Sequence, residues 1–388
     1  MKLLPPDTMP IPYFDYAATT PVDPRVIPGM LAMLGPDGSF ANPASSAHQP
    51  GRDAAACVAA ARLQVAALLH ADVREIVFTS GATEADNLAI KGLAANHPGG
   101  HIVTSAIEHK AVLDPCAWLE QHGWQVTRVL PQADGHIDPQ AIGAALRADT
   151  FLVSLMHANN ETGVINDVAT VAEICRAREV ILHVDAAQTA GKLELDLRTL
   201  PLDLVSISAH KLYGPKGIGV LYVRRRPGLD LVPLLHGGGH ERGRRSGTLA
   251  SHQIVGMGMA CELAAAEREC DNVRIARLRD QLWQGIAAVG DICINGAGAE
   301  RLPGHLNVSV AGVRGELLLN TLGASLAVSG ASACMSASLE PSYVLTAMGL
   351  DAPAAHASVR FSLGRFTNDE EVATAVAIFT RTVLRLRG

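Results

Sequence analysis

Lys211 stands in Ser208-Ala209-His210-Lys211, between the apolar run LVSIS and the turn Tyr213-Gly214-Pro215-Lys216-Gly217. A lysine carried by a strand end into such a turn is held partly out of water, which lowers its pKa and makes the amine nucleophilic toward an aldehyde. An exposed turn lysine has the same local sequence, so the choice rests on its neighbours. Asp185 closes the run VILHVD and precedes Ala186, Ala187 and Gln188. A carboxylate at a buried strand end needs a cation, and a protonated pyridine nitrogen would serve, because charge there lets the ring accept carbanion electrons. The ordinary alternative is a helix N-cap. Asp185 and Lys211 come from successive strand ends, twenty-six positions apart, and such ends can face one site. The pair points to a Schiff-base cofactor.

Other polar groups follow apolar runs in the same way. Ser80-Gly81-Ala82-Thr83-Glu84 lies after IVFT and opens a helix, where backbone N–H groups can receive a phosphate; plain capping is the alternative. No Walker loop and no GxGxxG is present, so one phosphate fits better than two or three. His109, past HIVTS, is placed to stack on a ring and shuttle protons, or to be a satisfied surface histidine. His157, Asn159, Asn160 and Glu161 crowd the next strand end, and Asn160 could bond a ring hydroxyl or a substrate carboxylate, or cap a loop. The stretch Gly237 to Thr248 is glycine-rich and basic, suited to an anion or to a subunit contact, and is no HExxH zinc helix. Cys334 sits among small residues, Ser329 to Ser338, without apolar periodicity. We expect it to be exposed on a flexible loop, unlike the other six cysteines, as a nucleophile or as a tolerated thiol.

The elements that must deliver these groups are legible. From Ile76 to Val223 seven short apolar runs recur (IVFT, HIVTS, QVTRVL, FLVSLMH, VILHVD, LVSIS, IGVLYV), and several of the intervals between them read as amphipathic helix. This is the pattern of a mainly parallel sheet covered by helices, with ligands beyond the carboxyl ends of its strands. Asp53 to Leu69 reads as an Ala-rich packing helix, and Ile254 to Val289 as a long helical stretch softly interrupted near Asn272. Beyond it, HLNVSV, GELLLNTLG, VRFSL and EEVATAVAIFTRTVLRL suggest a second α+β unit. The 388 residues are too many for one module, and 48% apolar content supplies a core that only 4% aromatics must leave to Ala, Leu, Val and Ile. A net charge of −6 with few rings disfavours nucleic acid as a partner. Seven cysteines without a CxxC pair disfavour disulfides and a closed zinc site. Prolines at 5, 6, 10 and 12 stand where a signal peptide would need an apolar run, and no run is long enough to span a bilayer, so we expect a soluble cytoplasmic protein.

Together FTSGATEADNLAIKG, EHKAVLD, HANNETGV, HVDAAQ, SAHKLYGPKGIG, HGGGHERGRRSGT and SGASACMSASLEPSYVL resemble the cysteine desulfurases of the class V aminotransferase group, over a stretch from Tyr13 to Phe366. The long Cys loop is similar to that of the housekeeping iron–sulfur-assembly and nitrogen-fixation type. The resemblance implies fold type I: α/β, with a mainly parallel seven-stranded sheet in a large domain (14–262) and a smaller α+β domain (1–13 and 263–388). It implies pyridoxal 5′-phosphate bound as an imine to Lys211, stacked on by His109, paired at its nitrogen by Asp185 and hydrogen-bonded at its phenolic oxygen by Gln188. Its phosphate would be held by Ala82, Thr83, Ser208, His210 and Thr248 of the partner subunit in a homodimer. Asn160 and Arg360 would receive the substrate carboxylate, with Asn160 also near the cofactor.

The implied reaction begins when L-cysteine displaces Lys211, whose amine removes the Cα proton. The Cys334 thiolate then takes the sulfur as a persulfide and L-alanine is left. No resident metal is implied, Cys334 being at most a transient iron–sulfur ligand. Acceptors would be an iron–sulfur scaffold or another sulfur carrier. The pattern differs from the usual one in Ala331 for serine and Met335 for threonine, changes expected to alter loop dynamics or thiol reactivity. Similar proteins continue past the position of Gly388 with a scaffold-docking segment, so the resemblance leaves scaffold docking by that surface in doubt. A selenocysteine lyase on the same scaffold, or a non-catalytic assembly partner that kept the fold, are the competing readings.

Overall fold

The computed structural model describes residues 11–330 and 340–388. Each of the seven runs forms a strand: β1 (Ile76–Thr79), β2 (His101–Ser105), β3 (Gln125–Val129), β4 (Thr150–Met156), β5 (Ile181–Asp185), β6 (Leu204–Ser208) and β7 (Gly219–Val223). They make one sheet in the order β1-β7-β6-β5-β4-β2-β3. Strands β2 to β6 pair in parallel, whereas β7 runs antiparallel between β1 and β6, with Gly219 opposite both Thr79 and Ser208. The carboxyl ends of β1 and β6 therefore meet the amino end of β7 along one edge. All strands but β3 are buried along their whole length, which is why they read as unbroken apolar runs; β3, at the sheet's edge, begins with an exposed Gln125.

Helices α1 (Ile27–Leu31) and α2 (Gln49–Leu68) precede the sheet, and α3 (Ala82–Ala94), α4 (Lys110–Gln121), α5 (Pro139–Ala145) and α6 (Val168–Ala177) follow β1 to β4 in turn. Helix α7 (Ser251–Ala287) is a single helix of 37 residues. The interruption expected near Asn272 does not occur. Its side-chain amide donates to Lys192 O at 2.6 Å, so it reaches off the helix instead of competing for the helix backbone. The first half of α7 packs Ile254, Met257 and Cys261 into the core of the large sheet, and the second half packs Ile275, Leu278, Leu282 and Ile286 into another core.

That second core covers a four-stranded antiparallel sheet in the order β10-β11-β9-β8, formed by β8 (Ile292–Ile294), β9 (His305–Val310), β10 (Ser329–Gly330) and β11 (Ser358–Ser362). Its helices are α8 (Gly315–Gly323) and α11 (Asp369–Arg387). Tyr13 and Asp15 bridge to Ala327 and Ser362, and Phe14 is buried in this core. Helices α9 (Tyr343–Ala347) and α10 (Ala352–His356) come late in the chain, yet Val344, Leu345, Met348 and Ala355 lie in the first core. Among the described residues no helix is long and apolar enough to cross a membrane.

A core poor in rings packs closely through small residues. The Ala-rich α2 lies against α7, where a Cβ on Gly258 would stand 2.7 Å from Ala61 Cα and 2.4 Å from Gln64 Oε1. Gly258→Leu is expected to destabilise the protein by about 1–3 kcal/mol, read as a lower denaturation midpoint. Gly323→Ala, with nothing within 4 Å of the added carbon, is the control and should be neutral or slightly stabilising.

Candidate active site

The strand ends open onto one cavity of about 520 Å³. Ala82, Thr83, His109, Asn160, Asp185, Gln188, Ser208, His210, Lys211 and Arg360 all line it. Thr248 does not line this chain's own cavity and is exposed. Cys334 lies outside the described residues. Two of the other six cysteines, Cys270 on α7 and Cys293 on the edge strand β8, are exposed. The expected contrast in exposure therefore fails for these two, because their positions on the outer face of a helix and on a sheet edge turn them outward.

The floor is acidic. Asp185 ends β5 with its carboxylate buried, and its Oδ1 accepts the Ala187 N–H at 2.9 Å. Burial, then the nearby Asp86 carboxylate, pushes its pKa up to about 6 against the pull of the Ala187 N–H, His109 and His183. Asp86, on α3, is fully buried; neither carboxylate oxygen is hydrogen-bonded, and Oδ1 lies 3.4 Å from His183 Nε2. The His183 ring is fixed between the Ser154 and Ser206 hydroxyls, each at 2.9 Å. Glu108 is pushed up to about 8 by burial, with Asp185 and Asp86 adding to the shift, and the Ser105 hydroxyl donates to it at 2.5 Å. At neutral pH Glu108 thus holds its proton, while Asp185 is ionised without an ion pair to lysine or arginine among the described residues. The donor it lacks is a cation entering from the cavity.

The walls supply donors. Helix α3 begins at Gly81 without a side-chain cap, leaving the Ala82 and Thr83 N–H groups for an anion. Gly219 lets β7 approach this turn, since a Cβ there would stand 2.7 Å from Gly81 Cα. Opposite are Ser208 and His210, the latter held neutral with its pKa pushed down to about 4 by burial and then by Lys211, Lys216 and Lys192. Glu84 lines the same end; burial would raise its pKa, but Arg245 at 2.9 Å and the Ser80 N–H at 2.7 Å hold it below the usual carboxylate range. Arg245 belongs to the glycine-rich stretch, which is tied down further by the buried Glu241 accepting from Arg62 and from the Phe78 N–H.

Lys211 donates to Ala17 O at 2.5 Å and Ala18 O at 2.8 Å. These carbonyls come from the segment that joins the second sheet, and no part in the site is legible for them in the sequence. Their only sequence signal lies in the small residues Ala17 and Ala18 that follow Tyr16. Lys192 was also unmarked; burial and the charge of Lys211 push it down to about 7. His109 caps α4, its Nδ1 accepting from the Ala111 N–H at 3.1 Å, so its neutral form carries the proton on Nε2. Gln188 donates to Ala17 O at 3.0 Å and leaves its buried Oε1 without a partner, as Asn160 does its Oδ1. Asn159, by contrast, is spent on its own loop, accepting from the Glu161 and Thr162 N–H groups. Arg360, buried on β11, donates to Asn160 O at 2.8 Å and Asp15 Oδ1 at 2.7 Å, and its Nε has no partner. Among the described residues no cluster of three or more His, Cys, Asp or Glu could hold a metal ion.

Because the folded pKa of Asp185 lies above its unfolded value, its contribution to stability is present below about pH 4 and is lost as pH rises through about 6. Asp185→Asn in the ligand-free protein should therefore raise denaturation stability at pH 8 by on the order of 2 kcal/mol. The gain should vanish at pH 4; an equal gain at both pH values would show that ionisation is not its cause.

The model of the family described as aminotransferase class-V matches residues 12–374. The chain is 58% identical over 377 residues to the protein named cysteine desulfurase IscS of Shewanella loihica, covering 97% of this chain and 93% of the other. It resembles the solved structure of a NifS-like protein at 37% identity and TM-score 0.89, covering 97% of this chain and all of that one. It also resembles SspA in complex with cysteine, at 38% identity and TM-score 0.81 over 92% of this chain and 99% of that one.

Proposed function

The chain belongs to the class-V aminotransferase family, and from that premise we propose that it is a cysteine desulfurase, which uses pyridoxal 5′-phosphate to move the sulfur of L-cysteine to Cys334 and releases L-alanine. The observation that carries the reading is the convergence of Asp185 and Lys211, from adjacent strands, on one cavity that also holds an uncapped helix start and a buried arginine. The residues present fit the cofactor. The buried Asp185 carboxylate, with no lysine or arginine bonded to it among the described residues, suits a protonated ring nitrogen, the unpartnered Gln188 Oε1 suits a phenolic hydroxyl, and Ala82, Thr83, Ser208 and the neutral His210 suit the phosphate. When bound, the cofactor supplies an electron-accepting ring joined to the substrate amine.

The chain's own groups do the rest. Lys211 would hold the cofactor, and its Nζ would take the substrate Cα proton. His109 lines the same cavity and would stack on the ring, with its Nε2 proton available. Arg360, held by Asp15 and the Asn160 carbonyl, and the side-chain N–H groups of Asn160 receive the substrate carboxylate. The Cys334 thiolate attacks the substrate sulfur. The S–S bond forms as the substrate Cβ–S bond breaks, the electron pair stays with carbon, and two protons complete the alanine and the neutral persulfide, so no outside oxidant is needed. Ser329 of β10 faces Arg360 of β11 in register, and Cys334 follows five residues later, within about 18 Å of chain reach.

The same reading makes the protein a cytoplasmic homodimer of two-domain subunits (14–262; 1–13 with 263–388), with Thr248 completing the phosphate site of the partner subunit. The persulfide sulfur then passes to an iron–sulfur scaffold or another acceptor protein.

In a Lys211→Ala variant alanine formation from cysteine should fall at least about a hundredfold. Cys334→Ser should remove the mass increase of a protein-bound persulfide. Sulfide release at the original rate from the lysine variant would refute the assignment of Lys211. Persulfide retained by the cysteine variant would refute that of Cys334, and undiminished sulfide release without persulfide would favour β-elimination.

A further inference from the structure

Two side chains just after the Cys334 segment reach across to the loops that carry His109 and Asn160. Ser342 caps α9, accepting the Leu345 N–H at 3.1 Å, and donates to Glu161 Oε2 at 2.5 Å. Tyr343 donates to Glu108 O at 2.6 Å, and its ring lies under Lys110 Nζ at 4.8 Å. Glu161 follows Asn160, and Glu108 and Lys110 flank His109. Ser342 and Glu161 are both buried. The Glu161 backbone is itself fixed, its N–H on Asn159 Oδ1 at 2.8 Å and its carbonyl receiving Asn307 Nδ2 at 3.1 Å.

A helix of five residues is too short to hold its own place. The burial of Val344 and Leu345 in the first core keeps α9 on the body of the protein, while the two polar contacts set where its first turn stands. The other end of the same span is fixed as well, since Ser329 pairs with Arg360. In sequence Cys334 lies five residues after one anchor and eight before the other; the first anchor pairs with Arg360 and the second bonds Glu161, the neighbour of Asn160.

We propose that Ser342 and Tyr343 are positioning residues for sulfur transfer, bolting the chain that follows Cys334 to the loops presenting Asn160 and His109. This rests on the proposed cysteine desulfurase reading. With Ser329 and Ser342 both fixed beside the proposed docking pair, the span of chain between them sets the volume open to the thiol, and a loose Ser342 would dilute it. Docking of cysteine itself does not depend on the bolt, because Arg360 and the Glu161 carbonyl are held by bonds of their own.

The test uses cofactor-loaded Ser342→Ala/Tyr343→Phe double variant, which keeps the aromatic ring and the buried α9 leucine and valine. Single-turnover persulfide formation on Cys334, followed by mass, should slow about tenfold. Cysteine affinity, read from the absorbance change on binding, should stay within about twofold. A Ser342→Thr variant, which keeps the donor and leaves Tyr343 in place, should retain the original rate. An unchanged rate in the double variant overturns the inference, as does a parallel fall of affinity, rate and denaturation midpoint. Absence of a Cys334 persulfide in the unmodified protein would instead defeat the functional reading itself.

Discussion

A carboxylate is buried at the end of a central strand with two more acids around it and no lysine or arginine bonded to it among the described residues. The rest of the site follows from that constraint. Ionised Asp185 is costly in the folded protein, and Asp86 beneath it makes it more so. The large sheet holds this arrangement in place because β5 is flanked by strands on both sides and buried along its length. The cost is relieved by a cation arriving from the cavity, and cofactor binding and folding energy are therefore coupled through one side chain. Glu108, which holds its proton near neutral pH, keeps the cluster from carrying a third full charge.

Around that floor the second sheet acts as a wall. Asp15 and the Asn160 carbonyl hold the Arg360 guanidinium, Ala17 and Ala18 take the Lys211 amine, and Ser342 and Tyr343 tie α9 to the loops beside Asn160 and His109. The site is thus built across two sheets. Groups that line one cavity are cross-braced by hydrogen bonds spanning up to 345 positions of sequence, as from Arg360 to Asp15. Such bracing limits how far Arg360, Asn160 and α9 can drift relative to one another, which a site on one strand edge could not do.

The strands were legible because complete burial of a parallel sheet writes itself as uninterrupted apolar runs, and the chemistry-bearing residues because they stop those runs. Asp185, Lys211 and His109 were found in that way. The antiparallel insertion of β7 between β1 and β6 left no mark, since strand order depends on crossovers and not on periodicity. Asn272 misled because its cost in a helix is small and a contact with Lys192 O absorbs it. Asp86, Glu108 and Lys192 look like ordinary helix, loop and turn residues; only burial at long range makes them matter. Ser342 and Tyr343 read as the start of a short helix, and their reach to Glu161 and Glu108 is visible only in the fold.

The account turns on the charge state opposite Asp185. Nitrogen-15 NMR of the protein loaded with pyridoxal 5′-phosphate labelled at the ring nitrogen measures it directly at pH 7.5. A protonated nitrogen is the expected result, reverting to an unprotonated signal in Asp185→Asn. An unprotonated ring nitrogen in the unmodified protein would contradict the claim that the buried carboxylate exists to hold that charge.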